Sequence, residues 1–519
     1  MHPKVHTSTG GLSGVEEEGV LCFRGIPYAA STEGEGRFRA PMPVKPWSGF
    51  RDASQPGFAA IQPFRLPAAF RRFSTVPPIG ISEDCLFLNV WTPALDHRPR
   101  PVMFWIHGGG FTRGSGSWYL YSGANLARRG DVVVVSINYR LGALGALMTD
   151  EMSDGHSADS NVGLRDQMAA LQWVVKNISD FGGDPSKIVA FGQSAGAMSV
   201  ASLIASPQSE SLIQRAILQS GAARNYLEPD QAKSVSRNFC RYLEIDIESQ
   251  SPLSELRKKT AEEILKAQLQ VSANQRMPMG MMSWQPSLDG DILTKPPLEQ
   301  WPGKKEQAPQ ILIGANLEEW KMFTATDGKR RNMDEATLRD YLSRTFVEAG
   351  GGLELTELAL EYYQHSEEGK SRTPGQIWSA IQGDRVFHLP AVQLADRNSE
   401  LGGQTWFYRF DWRSRRLKER VGACHSMELP FVFGTVQKPL PRWLLKAKPE
   451  DQTLSEHMQE VWLAFARTGD PRTEASPEWP FYQSQGGQAR VLGGSKREVP
   501  ALTRSLRNFW AHESGERGS

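Results

Sequence analysis

The sequence predicts an α/β fold, and three observations predict it. Two short apolar runs, Val102-Met103-Phe104-Trp105-Ile106 and Lys187-Ile188-Val189-Ala190-Phe191, read as buried strands. Each runs straight into a glycine-bearing turn, His107-Gly108-Gly109-Gly110-Phe111 and Gly192-Gln193-Ser194-Ala195-Gly196. Behind the second turn, residues 197–203 are small or apolar, as at the start of a helix packed on a sheet.

Taken in order, the chain reads as a β region to about Asn138, followed by βα units that carry Ser194. The triple glycine at 108–110 has a plain reading as a flexible loop. The functional reading is an oxyanion hole, where bare backbone N–H groups must converge with no side chain in the way. The second turn favours the functional one. It has the G-x-S-x-G form of a nucleophile elbow in its strand–turn–helix setting. A turn that sharp brings strand and helix backbones together, so a Cβ at Gly192 or Gly196 should collide. Gly109 and Gly110 then supply two donors, and the amide of Ala195 a third. From residue 226 to about 295 the pattern turns helical, like an insertion. There Thr260-Ala261-Glu262-Glu263 forms a capping box ahead of Ile264, Leu265 and Leu269. Met277, Met279, Met281 and Met282 follow, and flexible thioethers there either fill the core or line the mouth of a site.

A series of further stretches, in a fixed order, identifies a family. They are Phe23-Arg24-Gly25-Ile26-Pro27-Tyr28-Ala29, Arg37-Phe38-Arg39-Ala40-Pro41 and Ser82-Glu83-Asp84-Cys85-Leu86-Phe87-Leu88-Asn89-Val90. Asn138-Tyr139-Arg140-Leu141-Gly142, Asn161-Val162-Gly163-Leu164-Arg165-Asp166-Gln167 and Phe181-Gly182-Gly183-Asp184-Pro185 come next. Phe465-Ala466-Arg467-Thr468-Gly469-Asp470-Pro471 stands near the end. With these, nearly the whole chain resembles the type-B carboxylesterases, closest in character to bacterial para-nitrobenzyl esterases. The resemblance implies an α/β-hydrolase fold: a large, mostly parallel central sheet flanked by helices, with long helical insertions. It also implies one catalytic domain over 1–519, with a helical insertion at about 226–295.

Two more site residues follow from the family's motifs. The acid sits in a stretch like G-x-x-x-D-E-G, matched by Gly314-Ala315-Asn316-Leu317-Glu318-Glu319-Trp320, which selects Glu319. This chain departs from the pattern with Glu318 for Asp and Trp320 for Gly. The base sits in Gly422-Ala423-Cys424-His425-Ser426-Met427-Glu428-Leu429-Pro430-Phe431-Val432-Phe433-Gly434, which selects His425. The residue chemistry agrees. A serine hydroxyl needs an adjacent base, and an imidazole with an unperturbed pKa near about 6.5 suits that task. A carboxylate then holds the ring in one tautomer. Of the other histidines, His2, His6 and His97 lie in the tail or a polar loop. His107 is read as orienting its glycine loop, and His388, before Leu389-Pro390, as a satisfied structural residue.

By the same resemblance, Arg37 with Glu83 and Arg140 with Asp166 are ion pairs that pin loops. A charged residue in an apolar setting is usually there for its partner. Composition adds exclusions. With 59 basic against 58 acidic residues and no basic stripe, nucleic acid is not an expected partner. No stretch approaches the roughly 18 apolar residues of a membrane span. Met1-His2-Pro3-Lys4-Val5 opens without an apolar signal region. Secreted relatives pair the cysteine of the S-E-D-C stretch with one upstream, but no cysteine lies between Cys22 and Cys85. That fits a reducing cytosol, so a cytoplasmic enzyme is expected, as a monomer or weak homo-oligomer.

The expected chemistry is acyl transfer through Ser194, His425 and Glu319 on an uncharged carboxylic ester, with no metal and no organic cofactor. Alternatives are a specialised hydrolase of one natural or xenobiotic ester, lactone or carbamate, and, remotely, a non-catalytic adhesion or scaffold relative. Cholinesterases hold their cation on a tryptophan just before the S-E-D-C stretch. Residues 74–85 contain no tryptophan here, and Gln193 stands where the family commonly has Glu. Choline esters are therefore expected to be poor substrates.

Overall fold

The run at 102–106 is apolar throughout because both of its faces are covered. Val102, Phe104 and Ile106 join one buried cluster with Val135, Ile137 and Ala190. Met103 and Trp105 join another, with Val134, Val189 and Phe191. Continuous apolar runs of this kind mark strands of a sheet sandwiched between layers. The computed structural model describes all residues except 1, 64–79, 97, 153–158, 210–211, 276, 278–281, 303–307, 349–351, 366–371, 417, 485 and 514–519.

In chain order the strands are β1 (Lys4–Thr7), β2 (Gly10–Ser13), β3 (Val15–Glu17), β4 (Val20–Pro27), β5 (Phe50–Asp52), β6 (Phe87–Thr92) and β7 (Arg100–Ile106). They continue with β8 (Val133–Ile137), β9 (Gly183–Gln193), β10 (Arg215–Gln219), β11 (Gln310–Asn316), β12 (Thr405–Phe410), β13 (Gln488–Leu492) and β14 (Glu498–Pro500). One 11-stranded sheet runs β14-β13-β12-β11-β10-β9-β7-β8-β6-β4-β3, and β1, β2 and β5 form a small second sheet. The stretch from β8 to β13 pairs in parallel throughout. Antiparallel partners lie outside it, β14 on one edge and β6, β4 and β3 on the other. This is the α/β-hydrolase architecture, a mixed sheet with a parallel centre.

The strand before the serine is longer than its apolar run, Gly183–Gln193, because its first residues extend past the layer that buries the rest. Helices Val162–Asn177 and Ala195–Ala205 cover one face of the sheet, through Leu171, Val174, Val200 and Leu203. On the other face, helix Asp451–Thr468 packs Met458, Trp462 and Phe465 against the sheet. The β region to 138 also holds helix Ala124–Gly130, which buries Leu126 and Ala127 on that second face.

Between 226 and 295 lie helices Pro229–Tyr242, Pro252–Lys258 and Ala261–Asn274. The last is capped as expected: Glu263 N–H donates to the Thr260 hydroxyl at 3.2 Å, and Thr260 N–H donates to Glu263 Oε2 at 2.7 Å. Phe239, Leu256, Ile264 and Trp284 form their own buried cluster with Phe38 and Leu144. Arg37 Nε donates to Glu83 at 2.7 Å, and Arg140 donates to Asp166 through Nε at 2.8 Å and Nη2 at 2.6 Å. Cys22, Cys85, Cys240 and Cys424 are free thiols and all are buried.

Candidate active site

The site forms where the carboxyl ends of parallel neighbours meet, the usual crevice of such sheets. β7 ends in the glycine loop, β9 in Ser194 and β11 three residues before Glu319, while His425 lies on the loop after β12. Ser194 has φ 57° and ψ −128°, a strained conformation for a residue with a side chain. The turn is held from outside: Ser194 N–H donates to Gln219 O at 2.8 Å, and Met198 N–H to Ser194 O at 3.0 Å. A Cβ on Gly192 would lie 2.4 Å from the Gly196 carbonyl carbon, and one on Gly196 would lie 2.0 Å from Ile106 O.

The glycine loop curls back on itself. Gly109 has φ 119° and Gly110 φ 60°, and Gly109 O accepts from Arg113 N–H at 3.1 Å. Among the described residues nothing accepts from the N–H groups of Gly109, Gly110 or Ala195. His107 orients this loop. Its Nδ1–H donates to Gly108 O at 2.8 Å and its ring stacks on Tyr139 at 4.6 Å. Burial pushes its pKa down to about 4 in spite of that bond, so the ring is neutral.

His425 Nδ1 donates to Glu319 Oε2 at 2.6 Å, and both side chains are buried. The other carboxylate oxygen, Oε1, accepts from Asn316 N–H at 2.7 Å. Glu318 points elsewhere. It accepts from Ala423 N–H at 3.0 Å and pairs with Arg413 at 2.9 Å and Lys321 at 2.6 Å, bracing the loop that carries His425. His425 Nε2 accepts from the Gln193 side-chain amide at 3.1 Å, and among the described residues it makes no hydrogen bond with Ser194 Oγ. Such bonds are often loose before substrate binds. The structure therefore joins Glu319 to His425 directly, and His425 to the serine turn through Gln193.

Some of the surroundings had no signal in the sequence. Phe387 and Phe323 lie against the His425 ring, with centroids at 4.6 and 5.6 Å. Trp320, at the family's glycine position, packs on Phe323 at 4.6 Å. Phe111, Ala195, Met198, Ala315 and Phe387 form a small apolar cluster, with Met282 and Trp320 on its edge. Met282 thus reaches the site, whereas Met277 packs on the helical insertion. Met279 and Met281 lie outside the described residues, as do residues 74–79 of the stretch compared with the cholinesterases. Behind the pair, Glu428 accepts from Gln219 at 3.1 Å and Asn316 at 2.6 Å. Burial and then the nearby Glu319 push its carboxyl upward. The H-x-x-E spacing was visible, but nothing in it marked this glutamate as buried.

Comparisons with known proteins identify relatives of the chain. A model of the carboxylesterase family matches residues 1–508. A para-nitrobenzyl esterase of Bacillus subtilis (strain 168) is 37% identical over 95% of both chains. A phenmedipham hydrolase of Pseudarthrobacter oxydans is 33% identical over 96% of both. The crystal structure of a Geobacillus stearothermophilus carboxylesterase superimposes with a TM-score of 0.85 at 36% identity, covering 98% of this chain and 99% of that one.

Proposed function

The chain belongs to the carboxylesterase family, and from that premise we propose that Ser194, His425 and Glu319 are its catalytic triad. The activity is carboxylic-ester hydrolysis. The observation that carries the assignment of residues is the buried Glu319–His425 hydrogen bond beside the strained turn at Ser194. Ser194 attacks the ester carbonyl as His425 Nε2 takes its proton, after swinging from Gln193 to the serine. The amides of Gly109, Gly110 and Ala195 receive the oxyanion. His425 then protonates the leaving alcohol, and water repeats the attack on the acyl-enzyme. Glu319 keeps the imidazole in the Nδ1–H tautomer and balances its charge as it gains the second proton.

The preferred substrate is an uncharged ester with a short or medium acyl chain, and an aryl carbamate suits the same machinery. The aromatic and thioether lining from Phe323, Phe387, Trp320 and Met282 supports an apolar substrate. We read the chain as one domain with a helical insertion, acting in the cytoplasm as a monomer or weak homo-oligomer. Four buried free thiols support that compartment. Among the described residues no helix is long and apolar enough to cross a membrane.

The test is direct. Ser194→Ala should abolish hydrolysis of a nitrophenyl ester with the fold intact, and an organophosphate should label the wild-type protein once, at Ser194. Full activity in the alanine variant, or labelling elsewhere with Ser194 free, would overturn the assignment.

A further inference from the structure

The helical segment from Pro374 to Glu400 is interrupted by a π-helical turn, Asp384–His388. Such turns widen a helix at a cost in hydrogen-bond geometry and concentrate at functional sites. This one turns two successive side chains toward the same place. Phe387 lies against the His425 ring at 4.6 Å. His388 reaches the end of β11, where its Nε2 lies 2.8 Å from Asn316 O. Its Nδ1 lies 2.7 Å from Asp384 Oδ1, and Tyr363 OH donates to Asp384 Oδ2 at 2.6 Å.

The hydrogen-bond inventory fixes the charge. A carbonyl only accepts, so Nε2 carries a proton. A carboxylate that already accepts from a tyrosine hydroxyl calls for a proton on Nδ1 as well. His388 is therefore an imidazolium paired with Asp384. The ionisable groups that face it are Asp384 on its own turn and Glu319 after β11, with Tyr363 from helix Gly352–His365 behind Asp384. Burial alone would lower its pKa, but the bond to Asp384, the two carboxylates and Asn316 O together raise it.

We propose that Asp384 and His388 form a second histidine–carboxylate pair that positions the acid of the triad. The connection is short. His388 holds the carbonyl of Asn316, whose N–H donates to Glu319 Oε1 at 2.7 Å, and Glu319 Oε2 accepts from His425 Nδ1. His388 touches no reacting atom. It fixes the strand end from which Glu319 is aimed, and its positive charge offsets the negative charge of Glu319. The inference rests on Glu319 being the triad acid.

Two substitutions separate the contact from the charge. In His388→Gln the amide can still donate to Asn316 O, but the cation is lost and Asp384 is left uncompensated. Its kcat at the optimum should stay within about threefold of wild type, while the acid limb of the kcat/KM profile moves to higher pH by roughly half a unit. In Asp384→Asn/His388→Gln both charges are gone and that shift should vanish. Asn at 388 is too short to reach the carbonyl, so His388→Asn should lose about tenfold or more in kcat with KM little changed. The wild-type enzyme gives a readout that needs no folded variant. With ¹⁵N-labelled histidine, one imidazolium should persist above the pH at which a free imidazole, with its pKa near about 6.5, loses its proton. Its absence, or a folded His388→Asn with wild-type kcat and pH profile, overturns the positioning role. Glu319→Gln keeps the two readings apart. If it is inactive while His388→Asn is normal, only the positioning role falls. If Glu319→Gln is fully active, the triad acid itself is wrong.

Discussion

Two adjacent glutamates leave β11 and meet different partners, which makes the triad acid testable at the level of one side chain. Glu319 accepts from His425 Nδ1, whereas Glu318 binds Ala423 N–H, Arg413 and Lys321. Glu319→Gln should lower kcat by about 10⁴, the loss seen when a triad histidine is held in the wrong tautomer. Glu318→Gln should leave kcat within about tenfold, since its contacts reach the loop rather than the ring, but it should lower stability by roughly 1–3 kcal/mol. The pH sense follows from its lowered pKa. Burial opposes the charge, but Lys321, Ala423 N–H and Arg413 outweigh it. The stabilisation is therefore complete above the ordinary carboxylate pKa and is lost as pH falls through the depressed folded value. Thermal melts of wild type and Glu318→Gln should converge on acidification. A second contrast concerns Gln193, whose amide donates to His425 Nε2. Gln193→Glu puts a negative charge beside the imidazole and favours its protonated form. The acid limb of the kcat/KM profile should move to higher pH by about one unit. The same variant should narrow the gap between butyrylcholine and a neutral butyryl ester, a gap expected to be wide in the wild type.

Strand ends and their turns are the elements that give those side chains their geometry. The serine turn leaves no room for change at Gly196, where a Cβ would stand 2.0 Å from Ile106 O on the neighbouring strand. Gly196→Ala should therefore force the start of helix Ala195–Ala205 away from β7, costing about 1–3 kcal/mol from overpacking and nearly all activity. Gly110 differs. Among the described residues a Cβ there would meet only the flexible Met282 Sδ at 3.3 Å, so the strain is that of φ 60°. Gly110→Ala should fold, yet lose about 10²–10³ in kcat as its N–H is turned away from the oxyanion. Melting temperature and kcat measured together separate the two variants. These elements were legible in the sequence because close backbone approach demands glycine, and burial on both faces demands unbroken apolar runs. The meeting of Glu319 with His425 was legible from their registers in two motifs. The contacts of Gln193, Asn316 and Phe387 with the pair were not, because each comes from a different strand end or helix and no spacing along the chain encodes their meeting. His388 read as structural for the same reason: its partner Asn316 is remote in sequence, and a π-helical turn has no pattern of its own.

At the scale of the whole molecule, the question is what docks the helices of 226–295 onto the sheet. Apolar packing of Phe38 and Leu144 against Leu256 and Ile264 supplies part of the answer. The buried guanidinium of Arg37 supplies a directional part. It pairs with Glu83 and donates through Nη1 to Arg257 O at 2.9 Å and Lys259 O at 2.5 Å. Those carbonyls end helix Pro252–Lys258, where the helix dipole favours a cation. One side chain thus ties the N-terminal loop, the stretch around Glu83 and the helical insertion together. Removing it leaves Glu83 as an uncompensated buried charge, a loss of about 3–5 kcal/mol when such a pair is broken from one side. Arg37→Ala should therefore lower the melting temperature sharply. Replacing both partners, in Arg37→Met/Glu83→Leu, should recover much of the loss, because no orphaned charge remains. Hydrogen exchange distinguishes this local tie from a general weakening. In Arg37→Ala, amides of 252–274 should exchange much faster while those of β7 and β9 stay protected. Since Met282 follows that segment and edges the active-site cluster, KM for a long-chain ester should rise while kcat for a short one holds. Uniform loss of protection across sheet and insertion alike would show that Arg37 stabilises the fold as a whole rather than the docking of this layer.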